Sequence, residues 1–120
     1  MSEQDKKIIQ ELQEQFFEEF NDLSASTEIC LMEMEKAENL EHQKTLLRNL
    51  HSIKGSSRAV GFESLAIFTH HLETRISESK KKFDFNFLFQ ALDLMVEHIK
   101  LLKQDRTDEA DQVLKKKINS

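Results

Sequence analysis

An all-α fold is predicted for this 120-residue sequence, arranged as an up-and-down antiparallel four-helix bundle with an additional C-terminal helix. Three features point to it. Proline is absent and glycine occurs only twice, at Gly55 and Gly61; helix interiors tolerate neither residue well. Apolar side chains recur every three or four positions along most of the chain, the spacing of one helix face. One stretch alternates like a strand, but no second strand candidate exists to pair with it. At 14.1 kDa the chain suffices for a single domain over residues 1–120 and is too short for two ordinary ones.

The elements follow in order. Ile9, Leu12, Phe16, Phe20, Leu23, Leu31 and Met34 form one stripe, so a first helix runs from about residue 4 to about residue 37. Asn21 and Ser24 to Thr27 are poor helix formers and could kink it. Asn39 can cap a second helix whose apolar positions are Leu46, Leu50, Ile53 and Val60, with Gly61 breaking it. A third helix carries Phe62, Leu65, Phe68 or Thr69, Leu72 and Ile76 on one face. The basic run Lys80 to Lys82 then suits a helix end, where cations meet exposed carbonyls. Phe83, Phe85, Phe87 and Phe89 alternate. Over the longer window, though, Phe85, Leu88, Leu92, Met95, Ile99 and Leu102 fit a fourth helix. A short fifth, Thr107 to about Ile118, offers Ala110, Val113 or Leu114 and Ile118 as a modest apolar edge.

Composition excludes several functions. Seventeen basic against 22 acidic residues leave a net charge of −5, which argues against a nucleic-acid partner. No apolar run is long enough to cross a bilayer, and no leader segment follows Met1, so a cytoplasmic protein without a membrane partner is expected. Cys30 is alone and can form neither an internal disulfide nor a metal cluster. Two glycines are too few for a phosphate-cradling loop, so an ATP site of its own is not expected.

The segment from His51 to Glu73 departs from a generic bundle. His51, Lys54, Gly55 and Arg58 stand at i, i+3, i+4 and i+7 and share a helix face, with Arg48 one turn earlier. The core stripe lies to one side, which places His51 at the core edge or beyond it, amid positive charge. A glycine inside a helix costs about 1 kcal/mol relative to alanine. Gly55 is therefore explained either by close packing against another helix of the domain or by the approach of another molecule. His70 and Glu73 form a second pair, at i and i+3. If the second and third helices are antiparallel about Gly61, a rise of about 1.5 Å per residue brings this pair level with His51. Glu73 could then accept a hydrogen bond from one ring nitrogen, fixing the tautomer and leaving the other as nucleophile.

His51-Ser52-Ile53-Lys54-Gly55-Ser56-Ser57, then Gly61-Phe62, Leu65 and His70-His71-Leu72-Glu73, resemble the signature of histidine phosphotransfer domains. The likeness is closest to the N-terminal phosphoacceptor domain of CheA-type chemotaxis histidine kinases. It extends to Phe16-Phe17-Glu18-Glu19 and covers most of the chain. The resemblance implies that His51 is phosphorylated by a histidine kinase's ATP-bound catalytic domain and passes the group to an aspartate of a response-regulator receiver domain. It further implies that Lys54 lies near the phosphoryl oxygens, that Gly55 lets the partner approach, and that His70 and Glu73 hydrogen-bond around the active histidine. Gly61 and Phe62 would be structural. Cofactors are expected to be none in the chain itself, with ATP and magnesium brought by partners. Arg58 departs from the family pattern, which often has a small residue there. It either adds charge, restricts docking or is merely solvated.

The dimerisation, ATP-binding and coupling domains of such kinases are not in the sequence, so a stand-alone, monomeric phosphocarrier is expected. Leu47 and Ala59, read as exposed apolar residues beside His51, are the candidate docking patch for a receiver. His71 diverges by about 100° from His70 and reads as a partly exposed structural residue. A zinc site from His51, His70, His71 and Glu73 is disfavoured, because adjacent histidines diverge and Lys54 and Arg58 repel a dication. A self-contained hydrolase or kinase lacks support, since Ser56, Ser57 and His51 show no catalytic partner arrangement. The remaining alternative is a non-phosphorylated helical adaptor for receiver or kinase domains.

Overall fold

The computed structural model describes residues 1–79 and 82–116, and these contain five helices and no strand. They are α1 (Glu3–Lys36), α2 (Leu40–Ala59), α3 (Glu63–Glu78), α4 (Phe85–Lys103) and α5 (Thr107–Val113). Side-chain caps start three of them. Ser2 and Asp5 form a reciprocal capping box on α1, Asn39 accepts from the His42 amide at 3.1 Å, and Asp84 accepts from the Phe87 amide at 3.0 Å. Gly61, at φ +89°, ends α2. Phe62 N–H donates to Ser57 O at 2.8 Å and Gly61 N–H to Arg58 O at 3.2 Å, the two bonds of a Schellman cap.

Neighbouring helices in sequence are neighbours in space, and α4 returns to pack on α1. This order fits the expected up-and-down bundle. Phe16, Phe20, Leu31, Leu46, Leu50, Ile53, Leu65, Ile76, Leu92 and Met95 fill one continuous core. The four alternating phenylalanines all lean partly into it. Three of them belong to α4, and the Arg75 guanidinium covers the Phe87 ring at 3.7 Å. Phe62 stacks on Phe17 with centroids 5.6 Å apart, anchoring the α2–α3 turn to α1.

Four hydrogen bonds at three levels tie α1 to α2 and its C-cap residue Val60. Asn49 Nδ2 donates to Ser26 Oγ and Thr27 Oγ1 at 3.0 and 3.3 Å, Ser56 Oγ donates to Glu19 Oε1 at 3.1 Å, and Gln13 Nε2 donates to Val60 O at 2.9 Å. Partner numbers rise on one helix as they fall on the other, so the pair is antiparallel.

The single first helix expected from the sequence is present: α1 runs through Asn21 and Ser24 to Thr27, where the hydroxyls of Ser24 and Thr27 donate to the carbonyls of Asn21 and Leu23. Other expectations need correcting. Leu12 is exposed and Ile9 only half-buried, since α1 outruns α2, whose end lies opposite Gln13. Thr69, not Phe68, takes the fully buried position of α3, its hydroxyl satisfied by Leu65 O. The last helix stops at Val113. Beyond it come half-buried Leu114 and exposed Lys115 and Lys116, too little apolar surface to hold further turns. Ile118, Lys80 and Lys81 lie outside the described residues.

The buried histidine His98 fastens α5 to α4. Its Nδ1 lies 2.6 Å from Ala110 O, and because a carbonyl can only accept, Nδ1 carries the proton. Burial lowers its pKa, opposed by the Ala110 hydrogen bond and the nearby Asp111 charge.

Candidate functional site

Leu50 and Ile53 of α2 are 1% and 0% exposed, and the helical step of about 100° turns His51 away from them. Its side chain is 73% exposed. Arg48, Gly55 and Arg58 share that open face. Lys54 leaves it, turning into the seam between α2 and α3 until its side chain is only 18% exposed.

Glu73 approaches from α3 at the expected height but divides its carboxylate unequally. Oε1 lies 2.9 Å from Lys54 Nζ, while Oε2 is 3.6 Å from His51 Nδ1. The first is a close ion pair. The second is longer than a hydrogen bond. Glu73 Oε1 is buried with no well-angled hydrogen-bond donor among the described residues, so the Lys54 ammonium is its electrostatic compensation. The structure thus brings His51, Lys54 and Glu73 together but does not form the His51–Glu73 hydrogen bond. Nδ1 is the ring nitrogen turned to Glu73, which leaves Nε2 as the other one.

His70 stands one turn before Glu73 and is exposed. Its ring lies 5.9 Å from that of His71, and its side chain makes no hydrogen bond or ion pair among the described residues. It is not joined to His51 or Glu73. His71 is exposed as well. Among the described residues, no three His, Cys, Asp or Glu side chains are grouped to hold a metal ion.

One of the two explanations for Gly55 falls away. A Cβ placed there would meet nothing within 4 Å, so no helix of the domain packs against it. Leu47 is half-buried against the core rather than exposed, because it lies on the side of α2 that leans toward α3. Ala59 is exposed, and with Arg58, Val60, Gly61, Ile9, Leu12 and Gln13 it lines a groove of about 370 Å³. A cavity of about 550 Å³ lies near the α2–α3 turn between Gln10, Phe17, Phe62, Lys103 and Thr107. It contains neither His51 nor Glu73. With 73% of its side chain exposed, His51 sits on an open face. Cys30 is buried and its thiol pKa is raised by that burial, against a hydrogen bond from Ser26 that lowers it, which argues against a thiolate role.

Two features escaped the sequence reading. Asn49 sits within the apolar stripe, and its polarity there is the available sign of a cross-helix bond. The pairing of Lys54 with Glu73 carries no such sign, because it depends on reach across the seam between two helices.

His51 thus displays an exposed imidazole on a helical surface beside the Lys54–Glu73 pair. A family model, the Hpt domain, matches residues 8–112, and the chain belongs to this histidine phosphotransfer family. Such domains act as phosphocarriers in two-component signalling, with kinases and response regulators as partners. No curated protein matches the chain. No helix among the described residues is long and apolar enough to cross a membrane.

Proposed function

We propose that this chain accepts a phosphoryl group on Nε2 of His51 from the ATP-bound catalytic domain of a histidine kinase and delivers it to a response-regulator aspartate. The observation that carries the reading is the 73% exposed His51 side chain with its Nδ1 turned to Glu73. In the first step the Nε2 lone pair forms a bond to the γ-phosphorus as the bond to the ADP oxygen breaks, and Nδ1 keeps its proton. In the second, a receiver carboxylate oxygen attacks phosphorus and the N–P bond breaks, returning the electron pair to Nε2. Catalysis of this kind rests on in-line positioning and charge neutralisation. The partners supply ATP, magnesium and the acceptor, so the carrier needs no pocket.

Glu73 acts in this reading by steadying the Nδ1–H side of the ring, and closes the remaining gap when positive charge develops on the imidazole. His70 is the weaker member of the proposed set, contributing through Glu73's helix and not through contact. Gly55 provides the bare surface a partner needs, and Ala59 with the rim of Leu47 gives that partner an apolar foothold. The histidine, lysine, glycine and glutamate spacing favours a CheA-like descent, and a cytoplasmic monomer completes the proposal.

Incubation of the purified chain with labelled ATP, alone and with the ATP-binding domain of a CheA-type kinase, tests the proposal. Acid-labile, base-stable label on His51 that needs the kinase and drains to a receiver is the expected result. Absence of label with active kinases would favour the adaptor alternative, and label without a kinase would reveal an ATP site in the chain. Full transfer by Ala59→Glu to every competent receiver would place the foothold elsewhere.

A further inference from the structure

On α2 the cations are not equally available. Lys44 lies 3.9 Å from Glu41, and Lys54 is committed to Glu73 at 2.9 Å with most of its side chain out of solvent. Arg48 and Arg58 are exposed, and their guanidinium groups make no hydrogen bond or ion pair among the described residues. Their distances from His51 differ. Arg58 begins about 10 Å further along the helix axis, whereas Arg48 begins about 4.5 Å away, one turn before the histidine. Residues three apart on a helix are surface neighbours. A helical side chain also leans over the turn preceding its own Cα, so the His51 ring overlies the turn that contains Leu47 and Arg48.

We infer that Arg48, rather than Lys54, supplies the cation that meets the phosphoryl group on His51. This rests on the proposed phosphorylation of His51 and assigns a positioning residue to it. Drawing Lys54 out to the phosphoryl oxygens would strand the buried Oε1 of Glu73 without its compensating charge. Arg48 surrenders no partner when it turns to a dianion. Its planar guanidinium can also offer two donors to one phosphoryl group.

The test uses phosphoramidate, a small phosphodonor that needs no kinase. Its P–N bond breaks and ammonia leaves as Nε2 bonds to phosphorus, and ³¹P NMR follows both acceptance and loss. In low salt, Arg48→Gln should accept about two to five times more slowly than the parent, the range of an exposed charge pair. Raising the salt should bring the two together, because the missing charge is one that salt screens. Arg48→Lys should keep the salt dependence and part of the rate, and Arg58→Gln should match the parent. Lys54→Gln disturbs Glu73 and changes the rate, yet should retain the parent's salt dependence.

Parental rate and salt dependence in Arg48→Gln would overturn the inference, as would loss of salt dependence in Lys54→Gln. Failure of the unmodified chain to form phosphohistidine, with phosphoramidate or with kinase, would instead remove the reading on which the inference rests. That result needs no variant to recognise. Circular dichroism of each variant confirms the fold.

Discussion

Lys54 and Glu73 meet across the seam of α2 and α3 at 2.9 Å, with 18% and 17% of their side chains exposed. The contact joins two helices and holds the carboxylate whose second oxygen stands 3.6 Å from His51 Nδ1. One carboxylate therefore serves packing and site at once, and its two oxygens divide the tasks.

Replacing Glu73 with alanine strands a mostly buried ammonium and removes support from the ring. Stability should fall by about 1–3 kcal/mol, the usual penalty for orphaning a buried polar group, as read by urea denaturation with helical content retained. Phosphoryl acceptance should slow in the same variant. Acceptance at the parental rate would take Glu73 out of the mechanism.

His51→Gln should separate function from folding. An exposed helical side chain contributes little packing, so stability should stay within about 0.5 kcal/mol of the parent. Phosphorylation should vanish completely. Label surviving at another residue would show that the acceptor had been misassigned.

The two glycines should respond in opposite directions to the same change. Gly55 lies in an ordinary helix with open space at its Cβ position, so alanine should stabilise the domain by up to about 1 kcal/mol while slowing transfer to or from a docked partner. Gly61 has φ +89°, where a side chain costs roughly 1–2 kcal/mol, and alanine there should destabilise. Thermal melts of the two variants give the comparison. An unchanged transfer rate in Gly55→Ala would mean that partners do not approach over that residue.

His98 makes the fold sensitive to acid. Its ring is 1% exposed, and its folded-state pKa lies below the ordinary 6.5 because burial disfavours the charged form. Below pH 6.5 the unfolded chain takes up a proton that the folded chain resists. The His98 contribution is therefore intact above that pH and declines as pH falls toward the depressed folded value. The melting temperature should drop between pH 7.5 and 5.5, and His98→Gln should drop less over that interval. Equal slopes in both proteins would assign the acid sensitivity to other groups.

Helix boundaries were largely readable because caps and periodicity are local. Ser2, Asn39 and Asp84 act within one turn of themselves, and Gly61 ends α2 by its own backbone preference. The site was readable to the extent that it, too, is local: the spacing of His51, Lys54 and Gly55 fixes one face of one helix. What depends on competition between helices was not. Whether Glu73 would bond to His51 or to Lys54 turned on which side chain could reach across the seam. The exposure of Leu12 depended on how far α1 outruns α2. The early end of α5 reflected how little apolar surface Leu114, Lys115 and Lys116 bring after Val113.

The three polar rungs between α1 and α2, at Asn49, Ser56 and Gln13, have a mechanical consequence. They bracket His51 above and below, so sliding α2 by one turn would break all of them together. The helix that bears the histidine is thus splinted to its longest neighbour. On the proposed function, donor and acceptor proteins would meet the same braced surface, and the adjustment needed to bring reacting atoms into line would fall to the visitors.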